Sequence, residues 1–204
     1  MAPIFGVIIS YLAGSIPSAY LAGRIRGVDL RKHGSGNLGA TNVARVLGGK
    51  IAMAVFVADV LKGFLPVFFL PRYTETLRPE LWALAFGVAA IVGHVKPIFL
   101  LGRGGGKGVA TATGVFLALA PIPTMITQVV WIAIFYFTRY VSLASLVAAA
   151  LLPIAIFFWS CDASSPVFIA SLVISAFVFW THRANIGRLR RGEEHRFVKK
   201  ETAA

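Results

Sequence analysis

An all-α integral membrane protein with about seven transmembrane helices is the fold class this sequence predicts, and three observations predict it. Of 204 residues, 57% are hydrophobic and only 14% are charged, where a soluble domain usually carries roughly a quarter of its residues as charges. The mean hydropathy is +0.78. The apolar residues also gather into runs near the length of about 20 that crosses a hydrocarbon core of roughly 30 Å. Such a chain cannot solvate its own surface, so intrinsic disorder and a soluble nucleic-acid binder are both excluded. The net charge of +12 then reports membrane orientation and anionic ligands. The single Cys161 rules out an intramolecular disulfide. No CxxC or Cys/His cluster suggests a structural metal, and no metal or other cofactor is expected.

The spans follow in order. The first, about 3–21, is interrupted by Gly14 and Pro17, and no Lys or Arg precedes it, so it lacks the basic start of a signal peptide. The second, about 47–70, contains Asp59 and Lys62, three apart and able to pair on one helix face. The third, about 81–95, is short. The fourth, about 109–120, breaks at Pro121-Ile122-Pro123. The remaining three lie at about 124–137, 142–159 and 166–181. The whole chain, 1–204, is expected to be one integral membrane domain with a flexible tail at about 198–204.

Charge tests this order. With the N-terminus outside, inner segments at about 22–46, 96–107, 138–141 and 182–204 carry Arg24, Arg26, Arg31, Lys32, Arg45, Lys96, Arg103, Lys107, Arg139 and the basic tail. In the outer connections Arg72 and Arg78 are offset by Glu75 and Glu80, and Asp162 stands alone. Cytoplasmic loops carry the Lys/Arg excess. The expected topology is therefore N-out and C-in, with the chemistry on the cytoplasmic side.

Three polar stretches stand out there. The first is GSGNLGATNVAR, residues 34–45, preceded by Arg31, Lys32 and His33. Its glycines let backbone N–H groups turn inward as an anion-binding nest. Ser35, Asn37, Thr41 and Asn42 add neutral donors, and Arg45 adds a forked cation suited to phosphate. A loop that is basic only for topology explains Arg and Lys, but not the four small polar side chains. Gly34, Gly36 and Gly39 match the GxGxxG spacing of dinucleotide folds. No strand precedes them, and Asp59 lies within an apolar span, so the match is coincidental.

The second stretch is GHVKPIFLLGRGGGKGVAT, residues 93–111. Gly104, Gly105 and Gly106 lead into Lys107 just before a helix, whose N-terminus favours an anion. A Walker A motif needs glycine at 101 and Ser or Thr at 108, where this chain has Leu101 and Gly108. Lys107 as a mere snorkelling anchor leaves the run of glycines unexplained. The third stretch is HRANIGRLRRGEE, residues 182–194. His182 and Asn185, three apart, share one helix face and are expected to meet the two glycine-rich loops. Arg190 and Arg191 read as juxtamembrane anchors, and Glu193 as the partner of a loop arginine. Ser142 and Ser145 fall near the interface, where serine serves packing or a ligand.

The inventory is rich in donors and cations and poor in acids. No aspartate cluster suits a CDP-alcohol phosphotransferase, and no His is followed five positions later by Asp, as an HX4D acyltransferase requires. A phosphate-gripping site beside an apolar interior remains.

These three motifs, in order and with suitable spans between them, resemble the signatures of the bacterial acyl-phosphate-dependent glycerol-3-phosphate acyltransferase family across essentially the whole chain. Relative to that pattern this loop has a third glycine, and Gly102 stands where an aromatic is expected. The resemblance implies transfer of a fatty acyl group from acyl phosphate to the 1-hydroxyl of glycerol 3-phosphate, without metal or nucleotide, at the bacterial inner membrane. Motif positions then assign catalysis to Ser35, Arg45, Lys107, His182 and Asn185. Substrate binding falls to Asn37, Thr41, Asn42, Gly105, Gly106, Ser142 and Glu193. The general base is His182 or a substrate phosphate oxygen. The alternative is a small anion or lipid transporter, which predicts mid-bilayer sites in broken helices and paired repeats. No convincing repeat is present, and the polar residues gather toward one face.

Overall fold

The computed structural model describes residues 1–197; the tail proposed at 198–204 lies outside them. Among the described residues all regular structure is helical, as expected. The helices are α1 (Pro3–Ser15), α2 (Ser18–Ile25), α3 (Ala40–Leu47), α4 (Gly49–Phe69), α5 (Pro79–Val95), α6 (Val109–Leu119), α7 (Pro121–Thr138), α8 (Val141–Ser160), α9 (Pro166–Thr181) and α10 (Arg183–Arg190). Short 3₁₀ turns lie at Leu30–Lys32, Leu70–Tyr73 and Ile98–Leu100.

Each apolar run of the sequence is helical, but their lengths differ. Five stretches are long and apolar enough to cross a membrane: Pro3–Ile25, Gly49–Tyr73, Pro79–Leu100, Pro121–Thr138 and Val141–Ser160. A sixth is added if α9 and α10, bent by 60°, count together. The fourth predicted span, α6, has 11 residues, about half of what a hydrocarbon core of roughly 30 Å requires at 1.5 Å per residue. The prolines expected to separate α6 from α7 begin α7 instead. This is physically reasonable, because a first-turn proline forfeits only an N–H that has no helical partner.

The helices pack as two compact units, Met1–Pro121 and the chain from Ile122 onward. In the first, glycines allow close backbone approach. A Cβ on Gly14 of α1 would overlap the Ala90 carbonyl of α5, and one on Gly93 would overlap the Tyr11 carbonyl. The pair α4 and α6 is built likewise, with Gly63 against the Thr111 carbonyl and Gly114 against the Val60 carbonyl. Lipid supplies no hydrophobic drive between helices, so small residues that permit close van der Waals contact hold such pairs together. Many large apolar side chains remain outward, among them Ile25, Met53, Val88 and Phe99. A bilayer is the solvent that such a surface fits.

In the second unit α8 packs against α9, with Phe157 and Phe168 ring centroids 5.7 Å apart. The Trp131 indole N–H of α7 donates to Ser145 Oγ of α8 at 3.1 Å. Beyond α10 the chain returns to the α7–α8 turn. There Phe197 N–H donates to the Arg139 carbonyl at 2.9 Å, and Arg196 Nε donates to the Tyr140 hydroxyl at 2.9 Å.

Candidate active site

The first polar stretch is a braced loop. Asn42, in the first turn of α3, is only 1% exposed. Its Oδ1 accepts from Ser35 N–H at 2.8 Å, while Nδ2 donates to the Leu30 and His33 carbonyls at 3.2 and 3.1 Å. The Asn42 amide is thereby committed to shaping the loop. Gly34 and Gly36 take φ of +61° and +69°, the left-handed region glycine enters without penalty. Asn42 Oδ1 also occupies the space a Cβ on Gly34 would need. Ser35 is thus exposed on a loop whose backbone is held from beneath. Upstream, Arg31 is engaged by Asp29 in a two-pronged pair, Nε to Oδ1 and Nη2 to Oδ2, both 2.9 Å. The side-chain and backbone hydrogen bonds from Arg31 lower the Asp29 carboxyl to about 2. Asn37, Thr41 and Arg45 are half-buried on the same segment and on α3.

The second stretch turns tightly between α5 and α6. Gly102, Gly104 and Gly108 all have φ between +72° and +83°. Gly106 N–H donates to the His94 carbonyl at 3.3 Å. A Cβ on Gly105 would overlap the Val95 carbonyl, and one on Gly106 would overlap His94 Nε2. The turn therefore lies flat on the end of α5 and delivers Lys107, half-buried, one residue before the α6 N-cap Gly108. It also meets the first loop: a Cβ on Gly104 would touch Leu38 and Arg31, and one on Gly106 would press on the Leu38 carbonyl. The two glycine-rich stretches, 34–45 and 93–111, are distant in sequence and neighbours in space.

Asp59 and Lys62 pair as their spacing predicts, Lys62 Nζ lying 2.8 Å from Asp59 Oδ1. The sequence reading gave no role to His94, whose Nδ1 lies 3.7 Å from that same oxygen. Together with Ser15, Leu38 and the three glycines, these residues line one cavity. A histidine in the last turn of an apolar helix, two residues before Lys96, was the available signal.

The third stretch forms a cluster of its own in the second unit. Glu194, not Glu193, is its hub. Glu194 Oε1 accepts from Ser142 Oγ at 2.9 Å and from Asn185 Nδ2 at 2.6 Å, and Oε2 accepts from Arg188 Nε at 2.7 Å. Burial alone would raise this carboxyl, but the hydrogen bonds from Asn185, Arg188 and Ser142 outweigh it and hold it below the ordinary glutamate value. Glu193, expected to bind substrate, is exposed and paired with Arg191 at 2.7 Å. Neighbouring carboxylates in an irregular segment look alike in sequence, and only the path of the chain turned one inward. Ser142 is bound to that hub as well. His182 is 4% exposed, and its Nδ1 lies 2.9 Å from the Val178 carbonyl. A carbonyl only accepts, so Nδ1 carries the hydrogen there. Among the described residues no group of His, Cys, Asp and Glu could hold a metal ion.

Apolar helices long enough to span a bilayer, joined by polar loops rich in glycine and cations, define a polytopic helical membrane protein. The chain belongs to the glycerol-3-phosphate acyltransferase family, whose model matches residues 4–192. It is 44% identical over 192 residues to a glycerol-3-phosphate acyltransferase of Fusobacterium nucleatum, covering 94% of this chain and 96% of that one. It is 44% identical over 200 residues to one from Aquifex aeolicus, covering 97% and 100%. Its fold matches the crystal structure of PlsY, an integral membrane glycerol 3-phosphate acyltransferase, in the glycerol 3-phosphate form. That match has TM-score 0.88 and 40% identity over 96% of each chain. The lysophosphatidic acid form of that protein matches with TM-score 0.85 and 39% identity, over 96% of this chain and 95% of that one.

Proposed function

We propose that this protein transfers a fatty acyl group from acyl phosphate to the 1-hydroxyl of glycerol 3-phosphate, yielding lysophosphatidate and inorganic phosphate. The observation that carries this is the meeting of the two glycine-rich stretches, which brings an Asn42-braced anion nest beside the turn that delivers Lys107. Family membership and the solved relative with glycerol 3-phosphate support the acceptor. The acyl-phosphate donor rests on the motif resemblance and on a residue inventory that needs neither nucleotide nor metal. The matched region runs through both units, so residues 1–204 are taken as one functional domain in the bacterial inner membrane, N-out and C-in, with catalysis facing the cytoplasm.

The hydroxyl oxygen attacks the acyl carbonyl carbon, the carbonyl becomes a tetrahedral oxyanion, and the bond to the phosphate oxygen breaks as phosphate leaves. Lys107, Arg45 and Ser35 bind phosphate oxygens, with Thr41, Asn37 and the backbone of Gly105 and Gly106 as further contacts. Backbone N–H groups of the glycine turn stabilise the developing oxyanion. An acyl phosphate is already an activated anhydride, so holding two reactants in register supplies much of the rate. The hydroxyl proton goes to His182 or to a phosphate oxygen of the substrate.

Detergent-purified protein should release inorganic phosphate only when acyl phosphate and glycerol 3-phosphate are both present, and without sealed vesicles. Activity that requires a sealed compartment would favour transport instead. Lys107→Ala and Arg45→Ala should each lose about 10²-fold or more in kcat/KM; wild-type turnover in both would end the phosphate assignment. A His182→Gln enzyme that keeps its rate across pH would assign the proton to the substrate phosphate.

A further inference from the structure

The charged cluster beneath the glycine turn is not accounted for by membrane packing. Asp59, Lys62 and His94 are 2%, 8% and 7% exposed, within apolar helices α4 and α5. Removing ions from water is costly, and well-packed apolar residues in place of a buried pair are often as stable or more so. An intramembrane charge therefore points to function. The contacts indicate which. Lys62 Nζ reaches both Asp59 Oδ1 at 2.8 Å and the Ile16 carbonyl at 3.0 Å, at the break between α1 and α2. Asp59 Oδ1 faces His94 Nδ1 at 3.7 Å. The far side of that imidazole, Nε2, lies where a side chain on Gly106 would stand, and the His94 carbonyl accepts from Gly106 N–H. Charge on one side of the ring and the turn on the other leave His94 as the piece that transmits position between them.

We propose that Asp59 and Lys62 orient the His94 ring as a support for the Gly105–Gly106 turn, setting the height of Lys107 above the membrane interior. These are positioning residues: they act on substrate phosphate through the turn, not by contact. The inference rests on the phosphate role given to Lys107 but not on the identity of the acyl donor.

A double-mutant cycle in detergent tests it. Gly106→Ala should lose kcat/KM by pressing its methyl on the ring. Adding His94→Ala removes the obstacle and should recover about tenfold over Gly106→Ala alone, a coupling of the size contacting residues show. Gly105→Ala is the control. Its methyl meets the Val95 carbonyl, which no side-chain truncation moves, so His94→Ala should not rescue it. Simple additivity at Gly106, or equal rescue at Gly105, overturns the proposal. If His94→Ala fails to fold, His94→Asn takes its place in the cycle, with the same two outcomes.

Asp59→Leu combined with Lys62→Leu separates position from packing. The pair should keep Tm within a few degrees while raising KM for glycerol 3-phosphate about tenfold, as expected where a misplacement of about 1 Å is costly. Wild-type KM in that double variant also overturns it. Should the wild type ignore acyl phosphate, the donor reading fails by itself. The same variants are then read by calorimetric binding of glycerol 3-phosphate, where unchanged affinity counts against the support role and weakened affinity for it.

Discussion

The glycine turn before α6 and the segment after α10 are both irregular, polar and flanked by cations, yet they are held in opposite ways. The turn is held by contact: Gly105 and Gly106 lie against the Val95 carbonyl and the His94 ring with no space for a Cβ. The segment after α10 is held by chemistry, through one carboxylate, Glu194, that gathers three donors. The first should be sensitive to added atoms and the second to removed ones. Each device suits its task. A backbone that must approach a phosphate closely needs absent side chains, whereas buried side-chain donors without a regular partner need an acceptor brought to them.

The largest expected effect is at the turn. Gly105→Ala adds a single methyl against main-chain atoms and should lower kcat about 10²-fold or more, the cost of displacing a catalytic group by about 1 Å. A steady-state assay with both substrates saturating checks it. Near wild-type kcat would show that the turn yields easily and that the contrast with Glu194 is false. Next is Glu194→Ala, which leaves Ser142 and Asn185 donors buried without their acceptor. It should cost about 1–3 kcal/mol, seen as a lower Tm in detergent.

The same carboxylate sets a pH dependence. Its value in the folded protein is below the ordinary 4.5, so its stabilisation is complete above that pH. It is lost as pH falls through 4.5 toward the folded value. Tm should therefore drop on acidification in the wild type, and less steeply in Glu194→Gln; parallel curves would remove Glu194 as the cause. Asn42→Ala deletes the brace of the first loop and should cost about 1–3 kcal/mol in its unpaired partners, with KM for glycerol 3-phosphate raised because Ser35 loses its support. Smallest is Glu193→Gln. Its pair with Arg191 is 58–60% exposed, and such pairs contribute about 0–1 kcal/mol, so Tm and activity should both be unchanged.

Much of the architecture was legible because lipid imposes a simple code. Runs of apolar residues had to become helices, since every backbone group in hydrocarbon needs an internal partner. Their order and approximate ends match the structure, and the i, i+3 spacing of Asp59 and Lys62 sufficed to predict their pairing. Span-forming length was less legible. The run at 109–120 reads as a span until Ala120 ends α6 after 11 residues.

Local pattern also marked the two glycine-rich stretches as special without revealing how they are held. Asn42 has the right chemistry for a ligand contact, yet its amide is spent on the Ser35, Leu30 and His33 backbone. His94 has the chemistry of a base or ligand, and its ring instead backs the turn. Composition and periodicity determined the class of molecule, its helical segments and the kinds of residue available for phosphate, because those follow from transfer free energy and side-chain type, which are properties of short windows. Tertiary structure decided which carboxylate turns inward, which amide is consumed and which glycine meets which ring, because those depend on how the backbone folds back on itself, over 7 to 12 residues at Asn42 and over 52 between Ser142 and Glu194.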